Sequence, residues 1–217
     1  MSLAIFDLDN TLLAGDSDYL WGQFLIDKDK VDGEEYARAN QYYYDHYKAG
    51  TLDIHEYARF AFRPLAEHPR DELLQWREDF LQNYIRPIML DSAQALIDSH
   101  KAQGDTLLVI TATNRFVTEP IVQAYGIDNL LATDLMEKDG QFIAEIEGTP
   151  CFQEGKVERL EMWMQEYNHD LEGSWFYSDS HNDIPLLERV SNPVAVDPDE
   201  PLKAQAESRG WQIISLR

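Results

Sequence analysis

Five short segments of this chain are apolar along their length rather than at every second position. They are Leu3 to Phe6, Thr106 to Thr111, Ser174 to Ser178, Pro193 to Val196 and Gln212 to Leu216. A strand wetted on one face alternates apolar and polar residues, so continuous runs suit a parallel sheet covered on both faces. Parallel neighbours need crossover connections, usually helices. Helical patterns fill the intervals: about Asp91 to Gln103, stopping at Gly104; a segment after Asn114 that ends near Gly126; Glu154 to about Tyr167; and Asn182 to Val190. This alternation predicts right-handed crossovers and an α/β fold with a doubly wound, Rossmann-like parallel sheet. Asp134 to Glu147 reads as a hairpin turning at Asp139-Gly140.

Residues 15–85 break the rhythm. They contain no convincing strand and are rich in helix formers and aromatics, among them Trp21, Phe24, Tyr43, Tyr47, Tyr57 and Phe62. Gly33, Gly50 and Pro69 divide the segment into about four helices, and Asp53-x-x-Glu56 resembles a capping box. The expected organisation is an α/β core from residues 1–14 and 86–217, with an all-α cap inserted at 15–85. The cap aromatics read more readily as the cap's own core than as substrate contacts.

With 18 Lys and Arg against 40 Asp and Glu, the formal net charge is −22. Such a surface repels phosphate backbones and anionic lipid, so neither nucleic acid nor membrane is expected as a partner. A small anionic substrate would need a local cation. One cysteine, Cys151, allows no internal disulfide. The opening residues run directly into Asp7 and Asp9, where a signal peptide would continue its apolar stretch. A cytoplasmic protein is expected.

The chemistry-bearing residues gather at strand ends. Asp7 and Asp9 follow the first run; in an extended segment residues i and i+2 project to the same side. Open α/β sheets bind ligands beyond the carboxyl ends of their strands. Paired carboxylates there suit metal binding or nucleophile and acid chemistry, although an isolated Asp-x-Asp is more often a solvated turn. Thr111 ends the second run, before Ala112, Thr113 and Asn114; a hydroxyl beside free helix N–H groups suits an anion, and a plain helix cap is the alternative. Lys156, in the first turn of a helix, opposes the macrodipole and calls for a nearby anion, unless it is merely solvated. Asp179, His181, Asn182 and Asp183 follow the third run. Each element alone is weak. Together they place a carboxylate pair, a hydroxyl, a lysine and a second carboxylate pair, in that order, on one sheet edge.

These motifs resemble those of the haloacid dehalogenase superfamily, in its phosphoserine-phosphatase-like branch with a helical cap. Asp7, Asp9 and Thr11 match the first motif, Thr111 the second, Lys156 the third, and Asp179 with Asp183 the fourth. The resemblance implies magnesium-dependent hydrolysis of a phosphomonoester through an aspartyl-phosphate. Asp7 would be the nucleophile. Asp9 would protonate the leaving alkoxide and then deprotonate the attacking water. Asp7, the carbonyl of Asp9 and Asp179 would hold Mg²⁺, with Asp183 orienting the metal shell. Thr111, Ala112, Lys156 and Asn182 would bind the phosphoryl group.

The resemblance also implies that Asp16, in the cap, binds a substrate amine. Arg59 and Arg63 are candidates for carboxylate recognition, but neither sits in a matching pattern. Ser178-Asp179-Ser180 stands where phosphoserine phosphatases carry Gly-Asp-Gly. The strings ITATNRFVT, GTPCFQEGK and YSDSHND look more like a bacterial sub-branch that includes histidinol-phosphate phosphatases. Histidinol phosphate, with an amine and no carboxylate, is the leading substrate expectation. Phosphoserine or another small phosphomonoester, a phosphotransferase or mutase on the same fold, and a non-catalytic binding module are the alternatives.

Overall fold

The computed structural model describes residues 2–217. Its strands are β1 (Leu3–Phe6), β2 (Thr106–Asn114), β3 (Asn129–Lys138), β4 (Gln141–Glu147), β5 (Trp175–Ser178), β6 (Asn192–Val196) and β7 (Gln212–Ile214). Among the described residues they form one sheet in the order β4-β3-β2-β1-β5-β6-β7. All neighbours pair in parallel except β3 and β4, which are antiparallel.

The continuous apolar runs are explained by cover on both faces. Along β1, Leu3 and Ile5 join a cluster with Leu160 and Trp163 of α7 (Glu154–Tyr167) and Leu202 of α9 (Glu200–Arg209). Ala4 and Phe6 join the opposite cluster, with Ile97 of α5 (Asp91–Gln103) and Ile121 of α6 (Arg115–Ala124). Successive side chains of a strand alternate faces, so this parity is inherited by whatever follows β1.

Between β1 and β2 stand α1 (Ser17–Asp27), α2 (Gly33–Lys48), α3 (Ile54–Glu67) and α4 (Arg70–Phe80). Aspartates start the first three: Asp16, Asp32 and Asp53 each accept backbone N–H groups of the first turn. Part of the acidic excess is therefore helix capping. At Asp53 only half of the capping box forms, because Glu56 accepts instead from the Tyr43 hydroxyl at 3.4 Å. The chain leaves the sheet and returns along adjacent paths: Leu13 bridges Met89, and the Ala14 N–H donates to the Ile88 carbonyl at 2.8 Å. The inserted helices seat on the core through aromatic rings. Trp21 meets Phe80 edge-on at 5.1 Å and Phe116 of α6 at 6.2 Å, and α3 lies against β4.

Four elements differ from the sequence expectation. Strand β2 continues past Thr111 to Asn114, with a register shift against β3 after Ile110. Strand β3 starts five residues before the expected hairpin: Asn129 to Leu131 pair in parallel with β2, and the strand then pairs antiparallel with β4. One strand serves two partners, which no local pattern announces. The helix expected over Asn182 to Val190 is a tight turn at His181–Asp183 followed by α8 (Ile184–Leu187). Ser191 and Asn192 donate to Ser174 and draw the chain back into the sheet. Strand β7 stops at Ile214, because the Leu216 N–H turns to Asp197 at 3.0 Å. Among the described residues no helix is long and apolar enough to cross a membrane.

Phe80 is fully buried against Trp21, Phe24 and Tyr84. Phe80→Ala should lower folding stability by about 3–5 kcal/mol, read by urea denaturation. A loss under about 1 kcal/mol would mean that this aromatic seam does not hold the inserted helices to the sheet.

Candidate active site

Asp7 follows directly on β1, with its N–H donating to the Tyr177 carbonyl of β5 at 2.9 Å. It has the parity of Leu3 and Ile5, so its side chain points to the face covered by α7. Lys156 comes from the first turn of that helix. Its ammonium sits 2.8 Å from Asp7 Oδ1 and 2.8 Å from Asp183, and all three residues are buried. Ser178 donates a further hydrogen bond to Asp183 at 2.7 Å. The loop before α7 is shaped for this delivery. Gln153 has a left-handed φ of 49°, and a Cβ on Gly155 would lie 2.1 Å from the Pro150 carbonyl oxygen. Only glycine permits that approach, one residue before Lys156.

After Asp7 the backbone stops being extended: the Leu12 N–H donates to the Leu8 carbonyl at 3.0 Å, and Asn10 takes a φ of 56°. Asp9 is therefore held by different partners from Asp7. Its Oδ1 accepts from the Ser17 N–H of α1 at 2.6 Å, and its Oδ2 from the Thr113 hydroxyl at 2.8 Å and, more loosely, the Thr111 hydroxyl at 3.4 Å. Thr11 ties the first motif to the fourth. Its hydroxyl accepts from the Asp179 N–H at 3.0 Å and donates to Asp179 Oδ1 at 3.2 Å.

The acids are crowded out of water. Burial pushes the Asp7 carboxyl up to about 7, although Lys156 pulls it down. Burial, with Asp7 and Asp183 nearby, raises Asp179 well above the carboxylate range. Burial works against the charge of Lys156, but Asp183 and Asp7 outweigh it and keep the ammonium protonated. One lysine thus faces three buried or half-buried carboxylates. That donor set, all oxygen and short of positive charge, fits a hard divalent cation. Among the described residues no three acids, imidazoles or thiols already converge as a formed ligand set; Lys156 bonds Asp7 and Asp183, and Thr11 bonds Asp179.

A cavity opens above Asp7 and Asp9, with about 560 Å³ of space not filled by protein, its mouth included. From the core, Asp7, Asp9, Thr111 and Ala112 line it, and Asp16, Asp18, Tyr43, Tyr44, Tyr47 and Tyr57 are among the lining residues from the inserted segment. Lys156, Asp179 and Asp183 neighbour Asp7 but do not line it. Asn182 lies at the seam between inserted helices and core. Its Nδ2 donates to the Tyr47 carbonyl at 3.1 Å, and its Oδ1 accepts from Gln153 at 3.0 Å. His181, paired with Asp199 at 2.6 Å, sits so close to Gly50 that a Cβ there would lie 2.9 Å from its Nε2.

Asp16 caps α1 through Oδ1, which accepts from Asp18 and Tyr19 N–H groups. Burial, with Asp9 nearby, raises its carboxyl well above the usual range. Arg59 and Arg63 are exposed, and no lysine or arginine lines the cavity. The aromatics of the inserted helices divide: Trp21, Phe24, Tyr36 and Phe62 form core, as favoured from the sequence, while Tyr19, Tyr43, Tyr44, Tyr47 and Tyr57 line the cavity. Sequence reasoning also missed Thr113 as a partner of Asp9. The available signal for the tyrosines was spacing: Asn40, Tyr43, Tyr44 and Tyr47 recur at i, i+3, i+4 and i+7, one face of a helix.

A family model for haloacid dehalogenase-like hydrolases matches residues 4–188. The chain belongs to that family. It is 41% identical to a histidinol-phosphatase of Neisseria meningitidis serogroup C (strain 8013), covering 100% of this chain and 99% of that protein. A Bordetella pertussis Tohama I crystal structure of a protein with unknown function shares 43% identity at a TM-score of 0.94, covering 100% of this chain and 99% of that one. A phosphoserine phosphatase carrying a phospho-aspartyl intermediate analogue shares the fold at 19% identity and a TM-score of 0.73, covering 100% and 93%. This haloacid dehalogenase-like hydrolase is an enzyme of the phosphatase type.

Removing Lys156 would leave two buried carboxylates without their cation. Lys156→Ala should cost about 3–5 kcal/mol of stability at pH 8. Below about pH 6 the loss should shrink, because Asp7, already pushed up to about 7, then binds a proton rather than staying as unpaired charge. Urea denaturation at both pH values tests this; an equal loss at both would remove the charge-pair explanation.

Proposed function

We propose that this hydrolase is a magnesium-dependent phosphatase acting on small phosphomonoesters through an aspartyl-phosphate, with histidinol phosphate as its leading substrate. The observation that carries the reaction is Asp7. It is a buried carboxylate with one oxygen fixed by Lys156, and it stands at the floor of a cavity beside a second carboxylate held by other groups.

Asp7 attacks phosphorus, forming a carboxylate–phosphorus bond as the ester oxygen–phosphorus bond breaks. Asp9, oriented by the Ser17 N–H and the Thr113 hydroxyl, gives its proton to the leaving alkoxide and then takes one from the water that cleaves the acyl phosphate. Thr111, the Ala112 backbone and Lys156 bind phosphoryl oxygens, with Asn182 contributing from the seam. Mg²⁺, when bound by Asp7, the Asp9 carbonyl and Asp179 with Asp183 behind, supplies positive charge that offsets the phosphate's own. The transition state is loose, so position and charge carry most of the rate.

Histidinol phosphate is supported by the end-to-end 41% identity with the Neisseria enzyme. A cavity lined by Asp16 and by no basic side chain suits an amine better than a carboxylate. That same lining disfavours phosphoserine.

Asp7→Asn should fold normally and lose steady-state phosphate release by at least about a thousandfold, as expected when a covalent nucleophile is removed. Retained turnover would exclude the aspartyl-phosphate route. A panel of histidinol phosphate, phosphoserine and sugar phosphates, assayed with magnesium and with a chelator, tests substrate and metal together. Histidinol phosphate should lead in kcat/KM, and the chelator should abolish turnover. Even, weak activity across the panel would remove the substrate assignment, and phosphoryl transfer to an alcohol acceptor in place of water would favour a phosphotransferase.

A further inference from the structure

The reading above uses Asp16 for the substrate amine and leaves other cavity-lining groups of the inserted helices unassigned. They come from three helices. Asp18 stands in the first turn of α1, Asn40 and Tyr43 on α2, and Tyr57 on α3, and all four line the cavity. The Tyr57 hydroxyl is the polar neighbour of the Asp18 carboxyl. Asn40 is only 3% exposed, and its Nδ2 is used up, donating to the Tyr19 carbonyl at 3.2 Å. Its Oδ1 accepts no hydrogen bond among the described residues. Because Asn40 lines the cavity, that free acceptor can take an N–H from a ligand there.

The close approach of α1 and α2 is needed to hold Asn40 there. A Cβ on Gly22 would fall 2.7 Å from Asn40 Nδ2, so a glycine at this position lets the amide in. The polar groups here are thus the Asp18 carboxyl, an unpartnered amide oxygen and tyrosine hydroxyls, with flat tyrosine rings as walls and no basic side chain. Such a pocket matches a flat group that carries N–H donors and accepts positive charge. Tyrosine faces attract cations, and the Asp18 carboxyl with no basic side chain nearby disfavours a second carboxylate.

We propose that Asp18, Asn40 and Tyr57 form a recognition pocket for a nitrogen-bearing aromatic ring of the substrate, beside the amine contact at Asp16, and that this pocket sets substrate preference. The proposal rests on the phosphomonoester reading and sharpens it to one class: phosphomonoesters carrying both an amine and an N–H heteroaromatic ring. Asp18 binds the ring and does not touch the reacting phosphorus, so its loss should act on binding more than on the chemical step.

Binding and turnover are measured separately. Calorimetry with histidinol, which has the ring and the amine but no phosphate, is compared with ethanolamine, which has the amine alone. The native protein should bind histidinol at least tenfold more tightly. Asp18→Asn should lose at least tenfold in histidinol affinity, and Tyr57→Phe should lose less. In turnover, Asp18→Asn should raise KM for histidinol phosphate more than it lowers kcat. The ratio of its kcat/KM to that for ethanolamine phosphate should fall about tenfold or more.

Equal affinity of the native protein for the two amines would overturn the pocket while leaving the phosphatase reading intact. So would equal loss on both esters in Asp18→Asn and Tyr57→Phe, the mark of a purely structural role. Histidinol binding that depends on Asp18, in a protein releasing no phosphate from any ester, would uphold the pocket and overturn the phosphatase reading.

Discussion

The Lys156 ammonium, buried between Asp7 and Asp183, is the contact on which the rest of the site depends. Two carboxylates cannot stay charged in a water-poor crevice without a positive partner, and a lysine cannot stay protonated there without negative ones. Satisfying both requires three remote parts of the chain to meet within 2.8 Å: the end of β1, the first turn of α7, and the turn after β5. The cluster of Leu3, Ile5, Leu160 and Phe176 sets α7 against the sheet. Gly155 and the strained Gln153 then bring the helix start down onto the strand ends. Packing and electrostatics act together here: the apolar face of α7 fixes its position, and that position makes the ion pair possible.

The inserted helices supply a second layer with a different chemistry. Their ring-only and indole side chains, Trp21, Phe24 and Phe80 with Phe116 of the core, form the apolar seam. Tyr19, Tyr43, Tyr44, Tyr47 and Tyr57 line the cavity instead, where a polar tip can meet water or ligand while the ring covers apolar surface. The seam closes near the reacting end through backbone contacts, the Tyr47 carbonyl to Asn182 and Gly50 against His181. These contacts depend less on side-chain identity than the seam does. The cavity is thus bounded on one side by an invariant need, a place for phosphate beside Asp7, and on the other by side chains free to suit the organic group.

Much of this was legible in the residues. The parallel sheet followed from Leu3 to Phe6 and its four companion runs, because burial on both faces leaves no alternation. Helix ends followed from Gly104 and Asn114, which take the left-handed C-cap and the N-cap that their side chains favour. The double role of β3 was not legible, since pairing first with β2 and then with β4 depends on where those strands lie. Nor was the short helix after Asn182, cut off by hydrogen bonds from Ser191 and Asn192 to Ser174.

At the site, the sequence alone determined which groups stand at the strand ends. Asp7, Thr111, Lys156 and Asp179 sit at boundaries between apolar runs and polar loops, and such boundaries are local properties. Only the tertiary structure decided how those groups are partnered. Asp7 and Asp9, two residues apart, were expected to project together into one crevice, and both line the cavity, but one is held by Lys156 and the other by Ser17 and Thr113. The backbone turns at Leu8, and each oxygen then takes the nearest donor from a different element. The tyrosines of α2 and α3 were likewise assigned to cavity rather than core by the packing of three helices. Whether a ring faces a neighbour or a void depends on what lies across from it, and that is a distance in space with no counterpart in the order of residues.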